Sequence, residues 1–355
     1  MRIETNALAR DLAEAVDAIG SSWEDLRGAR IFLTGGTGFF GCWLLETLLW
    51  ANDHLGLDAT AVVLTRNPER FSGKAPHLAA AEAVTLHHGN ITSFRFPDGA
   101  ATHVIHAALE TSSAAGRSER LREFDSTVTG TRRILDFARA AGVRRFLFVS
   151  SGSVYGPQPK DISRIPERYD GAPDVTVPMS AGAEAKRAAE LLCTLYADGR
   201  LTTTTARCFT FVGPYLELDN KFAIGNFIRD GLRGGPIRVL GDGSQVRSYM
   251  YGAELAVWLW TILIRGAAGR AYNVGSEEPV SIGDAAHAVA QRFAPAPAVS
   301  IVGMSVPGQA PSQYVPDTSR ARSELGLRSN IDLGEALTRT VRWHAVRSGS
   351  THDVQ

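Results

Sequence analysis

Apolar and polar positions follow two rhythms along most of this chain. Short apolar runs at 29–34, 59–65, 83–87, 102–106 and 145–150 have the length and β-branched content of buried strands. Between them, 42–50, 121–141 and 184–197 carry apolar residues at helical spacing. Strands alternating with helices imply a parallel sheet covered on both faces, the doubly wound α/β class. Ahead of this pattern, Leu8, Leu12, Val16 and Ile19 lie on one face of an N-terminal helical extension spanning 1–27.

From about 213 the texture changes to Gly, Pro and aromatic residues in shorter elements, such as Gly234-Gly235-Pro236 and Gly241-Asp242-Gly243. This predicts a smaller C-terminal substrate-binding lobe, built from 213–245 and 276–347. Residues 28–212 form the first domain, a return segment at about 246–275 rejoins it, and 348–355 is a tail. The apolar run 255–264 is too short to span a bilayer and reads as a buried helix.

Composition narrows the class. Across 355 residues with 44% hydrophobic content, Lys plus Arg and Asp plus Glu number 37 each. Such a chain can bury a large core, and it has no net field to draw nucleic acid or an anionic membrane surface. Cys42, Cys193 and Cys208 share no metal-type spacing and form no disulfide framework, which fits a reducing compartment. Glu4, Asp11, Glu14 and Asp17 on a helical pattern argue against a secretory signal, so the expected location is cytoplasmic. His87-His88 has no carboxylate or cysteine at ligand spacing, and no metal site is expected. His106 reads as strand-end packing.

The first candidate for chemistry is the turn Thr34-Gly35-Gly36-Thr37-Gly38-Phe39-Phe40-Gly41, set between the first strand and a helix. A strand, a tight glycine turn and a helix N-terminus together make a pyrophosphate site of the Rossmann type. Gly35 permits the sharp turn, Gly38 lets backbone approach phosphate, and Gly41 lets helix pack on strand. The chain is therefore expected to hold a dinucleotide, with Thr37, Phe39 and Phe40 at the site. Packing alone is the alternative explanation of these glycines.

A later strand ends in Ser150-Ser151-Gly152-Ser153-Val154-Tyr155-Gly156, and Lys186 follows on a helix. With the glycine turn, the stretch 207–214 and Tyr272-Asn273-Val274-Gly275, this order resembles the extended short-chain dehydrogenase/reductase family. The likeness is to its nucleotide-sugar epimerases, dehydratases and reductases, and it covers about 29–345. The resemblance implies that Ser151 bonds a sugar hydroxyl, and that Lys186 is the lysine of a Tyr-x-x-x-Lys helix. Residues four apart share a helix face, so the ammonium stabilises phenolate. The tyrosine position here is Gly182. Glycine exchanges no proton, so either another group replaces the phenol, the reaction differs, or redox activity is lost. Ser151, Ser153, Tyr155 and Lys186 are candidate substitutes, with Cys208 a further one should it face the cleft. The chain has only four lysines, Lys74, Lys160, Lys186 and Lys221, which makes one at the motif position informative.

The resemblance also implies a cofactor, NAD or NADP. The second strand ends at Thr65-Arg66 where NAD-selective folds present an acid, and an arginine there suits the 2′-phosphate of NADP. Asn90 and Ile91 match a segment at the adenine, Ala107 and Ala108 match small residues lining the cofactor, and Phe209 and Val212 fall in a later contact segment. In the second lobe, Asn226, Arg238, Arg247 and Tyr314 match segments that clamp a nucleotide diphosphate. A guanidinium meets two phosphate oxygens at once. A homodimer through the helices 121–141 and 184–197 is also implied.

Family 4,6-dehydratases place Asp and Glu after the strand-end Ser/Thr, where this chain has Gly152 and Ser153, so that elimination is disfavoured. The leading reading is epimerisation of a nucleotide-activated sugar through a keto intermediate. Elimination or decarboxylation without redox chemistry, and a non-catalytic NAD(P)-binding protein, are the alternatives.

Overall fold

The structure, a computed structural model, describes residues 6–108, 116–219, 222–304 and 311–349, and the backbone of 353–354. Lys221 and most of the expected tail lie outside the described residues. The sheet strands are β1 (Arg30–Thr34), β2 (Thr60–Thr65), β3 (Val84–His88), β4 (His103–His106), β5 (Arg145–Ser151) and β6 (Thr202–Cys208). A seventh strand, Ala271–Val274, joins β6, and the spatial order is Ala271–Val274, β6, β5, β4, β1, β2, β3. Every pairing in this sheet is parallel, so all its strands end on the same side.

The helices include α1 (Ala9–Ile19), α2 (Phe39–Leu55), the short α3 (Pro68–Lys74) and α4 (Pro76–Ala79), α5 (Arg117–Ala140), α6 (Ala181–Tyr196), α7 (Ala223–Leu232) and α8 (Gly252–Arg265), with three more following in the chain at Ile282–Ala290, Ser319–Leu325 and Leu333–Ser348. α1, α2 and α8 pack together on one face of the sheet, and α5 and α6 pack together on the other. α8 is buried along nearly its whole length, because helices and sheet enclose it on all sides. Among the described residues, no helix is long and apolar enough to cross a membrane.

The N-terminal helix is part of the main core rather than an appendage. Leu8, Leu12, Ala15, Val16 and Ile19 join the cluster that holds Trp43, Trp258 and Trp260. Asp11 is buried there, accepting a hydrogen bond from Tyr251 (2.8 Å) and pairing with Arg339. Helix starts fall earlier than the apolar periodicity alone suggests. α2 opens at Phe39, directly after Gly38, and α6 opens at Ala181.

Outside the central sheet lie α7, the strand Ile237–Val239 paired with Val299–Ile301, and a three-stranded sheet. In that sheet Val246–Arg247 lies between Val280–Ser281 and Gln313–Tyr314. Its pairing sets Tyr314 beside Arg247, a register that decides the chemistry of the cleft.

Candidate active site

The glycine turn has the geometry of a phosphate cradle. Gly35 sits at φ +73°, and a Cβ on it would come within 2.5 Å of the Ala107 carbonyl oxygen. A Cβ on Gly41 would stand 2.2 Å from the Gly36 Cα, so helix and strand can only meet this closely through glycine. Gly38 differs: the nearest atom to its notional Cβ is 3.4 Å away, and it is the N-cap of α2 with no side chain capping the helix. Backbone approach and the amide end of the helix are therefore left for an anion. Lys74, on α3, folds over this turn and donates to the Thr37 carbonyl at 3.1 Å. These residues fit the diphosphate of a dinucleotide. Thr37, Phe39 and Phe40 are partly exposed around the turn, as are Ala107 and Ala108 beyond β4. Thr34 Oγ1 accepts from the Ala108 amide (3.1 Å) and lies 2.7 Å from His106 Nδ1. His106 Nε2 meets Thr131 at 3.0 Å, and burial pushes its pKa down to about 3, so the ring is a neutral packing element.

At the end of β5, Ser151 and Ser153 are both half-buried. Ser151 Oγ accepts from the Ser153 amide (3.1 Å) and the Ser153 hydroxyl (3.0 Å). Tyr314 Oη stands 3.4 Å from the same oxygen. The Tyr314 ring lies against Phe209 (centroids 4.6 Å apart), with the Arg247 guanidinium 5.9 Å from its centroid. Burial raises the Tyr314 phenol, opposed by its bond to Ser151 and by Arg247. A Cβ on Gly152 would come within 2.7 Å of both Tyr314 Oη and the Phe209 ring. Glycine at 152 is what admits the two aromatic rings.

Tyr155, one of the four candidate substitutes for the phenol, has its hydroxyl engaged within the protein. Its ring is buried, its hydroxyl donates to Asn273 Oδ1 (2.8 Å), and it accepts from Arg207 (2.9 Å). Burial pushes its pKa up to about 12. Arg207 in turn pairs with Glu190 at 2.7 Å, and Glu190 accepts from Ser150 at 2.5 Å. Tyr155 is thus tied through Arg207 of β6 to Glu190 of α6. Val212 is likewise no side-chain contact for a cofactor, being wholly buried in the main core on the strand Phe211–Val212. Cys208 is buried and its thiol is pushed up, which makes it unreactive.

Lys186 is 4% exposed, donates from Nζ to the Val149 carbonyl (2.8 Å) and lies 4.6 Å from the Phe148 ring centroid. Desolvation brings its pKa down to about 8. One turn earlier, Gly182 faces Glu123 of α5: a Cβ there would be 2.8 Å from Glu123 Oε1. Glu123 is buried and pairs with Arg120 at 3.2 Å. Nearby on the same helices, Arg120 Nε, Ser126 Oγ and Glu184 Oε1 are buried without a hydrogen-bond partner. Sequence reasoning missed Glu123, whose only signal was an acid on α5 away from every motif.

The remaining expected contacts are spread along the chain. Arg66 is exposed directly after β2. Asn90 Oδ1 closes a local turn with the Thr92 amide (3.0 Å) and hydroxyl (2.9 Å), and Ile91 packs on Gly130 of α5. Asn226 on α7 accepts from Arg229 (2.9 Å), and Arg238 is exposed on the strand Ile237–Val239. Arg247 donates to the Val246 carbonyl (2.8 Å) and to Gln245 Oε1 (3.2 Å), half-buried beside the Tyr314 ring.

Because β1, β4 and β5 are parallel neighbours, the glycine cradle and Ser151 open on the same side of the sheet, with Lys186 on the helix that follows. That places the chain in the extended short-chain dehydrogenase/reductase class. Within the class it belongs to the NAD dependent epimerase/dehydratase family, whose model matches residues 31–275. It is 27% identical to UDP-glucuronic acid decarboxylase 1 of Arabidopsis thaliana over 316 residues, covering 88% of this chain and 69% of the relative. MoeE5 in complex with UDP-glucuronic acid and NAD superposes with a TM-score of 0.74 at 25% identity, over 90% of this chain and 100% of that one. UDP-glucose 4-epimerase of Thermotoga maritima shares the fold, with a TM-score of 0.74 at 21% identity over 90% of this chain and 99% of its own.

Proposed function

We propose that the protein modifies a nucleotide-activated sugar with bound NAD(P), by epimerisation through a keto intermediate. The observation that carries this reading is the common outlook of the glycine cradle and the Ser151 hydroxyl from one edge of a parallel sheet. The bound nicotinamide supplies hydride exchange. The protein supplies position: the uncapped end of α2 takes the diphosphate, Lys186 orients the ribose beside it, and Ser151 holds the reacting hydroxyl. Arg247, Arg238, Asn226 and Tyr314 are the proposed grip on the substrate diphosphate. Arg66 favours NADP over NAD.

Gly152 and Ser153 support epimerisation over 4,6-dehydration, since neither is an acid or base for elimination of water. Decarboxylation is the second reading, favoured by the decarboxylase relatives. Oxidising the 4-hydroxyl of a uronic acid leaves a β-keto acid, which loses carbon dioxide readily, so the two outcomes share their first step.

The test is incubation of purified protein with NAD or NADP and either UDP-glucose or UDP-glucuronic acid, followed by mass and NMR analysis. An epimer of unchanged mass supports the first reading, and loss of carbon dioxide supports the second. Solvent deuterium entering the sugar without hydride movement points to proton chemistry alone. Cofactor binding with no turnover of any sugar nucleotide would favour a non-catalytic role, and absence of NAD(P) affinity would sink the proposal.

A homodimer is part of this reading. Leu121 on α5 and Leu191 and Leu195 on α6 are exposed apolar residues on the paired helices. Light scattering at twice the chain mass, lost on replacing Leu191 and Leu195 with Glu, tests it. The three free cysteines suit a cytoplasmic location.

A further inference from the structure

Two side chains of α6 dock on consecutive residues of β5. Lys186 Nζ donates to the Val149 carbonyl (2.8 Å), and four residues on, Glu190 Oε1 accepts from the Ser150 hydroxyl (2.5 Å). Residues four apart share a helix face, so ammonium and carboxylate meet the strand at the two ends of one peptide unit. Arg207 of β6 fixes the carboxylate from a second side, through Nη2 (2.7 Å) and Nε (3.2 Å), and itself meets the Tyr155 hydroxyl (2.9 Å).

Lys186 is a buried cation with no counter-ion in contact. Among the described residues its one hydrogen bond is to Val149, and no carboxylate lies within salt-bridge reach of it. An amine this far from water sheds its proton unless something nearby favours the charge. The titratable groups that face it are Glu190 and Cys193 on α6, Cys208 on β6 and His106 on β4. Burial pushes both thiols up, so they carry no charge, and His106 is neutral. Glu190 is the one anion of the set, and position 182 offers no phenol to share the task.

We propose that Glu190 is a positioning residue for the cofactor, acting through Lys186: its carboxylate, anchored by Ser150 and Arg207, supplies the negative charge that keeps the buried ammonium protonated. The charged form keeps two N–H donors beyond the one spent on Val149, whereas the neutral amine keeps one. The same arrangement gives Tyr155 and Arg207 a part in cofactor binding without touching the cofactor, because they hold the carboxylate in place.

This inference rests on the proposed cofactor role of Lys186, and two readouts keep them apart. The first needs no cofactor. The chain has four lysines, so with lysine labelled by carbon-13 at Cε the Lys186 NMR signal is assigned by its loss in Lys186→Met. In wild type that signal should titrate at about 8. Glu190→Gln should lower the midpoint by about one pH unit. Glu190→Asp, which keeps the charge but draws it back from the strand, should lower it by less, and it decides by the same sign if Glu190→Gln fails to fold. Loosening of the fold would instead expose the amine and raise the midpoint in both variants. The second readout is NAD titration: near pH 6 Glu190→Gln should bind within about twofold of wild type, and near pH 8 about fivefold more weakly. A Lys186 midpoint unchanged or raised in the variants overturns the inference, whatever the cofactor does. A lowered midpoint with undiminished NAD affinity near pH 8 overturns it as well, by separating the charge from the cofactor. Wild type that binds neither NAD nor NADP removes the functional reading, while the NMR midpoints still decide whether Glu190 sets the charge of Lys186.

Discussion

Glu123 Oε1 stands 2.8 Å from where a Cβ on Gly182 would lie, so the carboxylate of one helix fills the space that a side chain on its neighbour would need. Restoring the family tyrosine is consequently not a simple repair. Gly182→Tyr must push Glu123 from its pairing with Arg120, whose Nε already lacks a partner. The expected cost is about 1–3 kcal/mol of folding stability. Adding Glu123→Ala to Gly182→Tyr should recover part of that loss. Urea unfolding of the single and double variants checks this, and additive losses would show that the two sites do not share space.

Two glycines in the cradle should respond in opposite ways. Gly35→Ala meets the Ala107 carbonyl at 2.5 Å in a left-handed conformation, so it should lower stability by about 1–3 kcal/mol. Gly38→Ala has no contact nearer than 3.4 Å and an ordinary extended backbone, so it should fold normally while weakening NAD(P) binding by about tenfold or more. Thermal melts with and without cofactor distinguish the pair. A Gly38→Ala protein with unimpaired affinity would place the diphosphate elsewhere.

Lys186 gives a pH signature. Its pKa is about 8 in the folded chain against 10.5 for the free group, so the unfolded chain binds more protons between these values. Stability from this group therefore rises as pH climbs from about 8 towards 10.5. Buried thiols and phenols act the other way, and comparison with Lys186→Met removes their contribution. The variant should be at least as stable as wild type near pH 7, and its advantage should shrink through that window while NAD(P) affinity is lower throughout.

Acid should destabilise the protein early. His106 is held at about 3, and His103 and His344 at about 4, all by burial. Each binds a proton in the unfolded chain near 6.5 but not in the folded one, so stability is lost as pH falls from about 6.5. His106→Asn should flatten this fall between pH 6.5 and 4, as measured by urea midpoints. An unchanged slope would mean that His106 is open to solvent.

Much of the frame was legible in the sequence. The apolar runs that predict five strands lie in one parallel sheet, and β1, β2, β4 and β5 carry almost uninterrupted buried side chains, the pattern that reads most directly, whereas β3 at the sheet edge buries Val84 alone. The glycine turn was readable because its requirements are local: a positive φ at Gly35 and close approach at Gly41 involve residues near in sequence or the next strand. The engagement of Tyr155 was hidden for the opposite reason. A tyrosine four residues past a strand-end serine pair looks available, and only β6 and Asn273 reveal that its hydroxyl is already engaged.

Sequence by itself determined the layered α/β frame, the tight glycine turn and the absence of a tyrosine ahead of Lys186, because periodicity, backbone sterics and residue identity are properties of neighbours along the chain. Tertiary structure alone decided what stands in that tyrosine's surroundings. Glu123 reaches Gly182 by the packing of α5 on α6, and Tyr314 reaches Ser151 across 163 positions by the register of a two-residue strand. Contacts of that kind depend on how separate elements are stacked, and a short strand carries too little pattern to announce its partner.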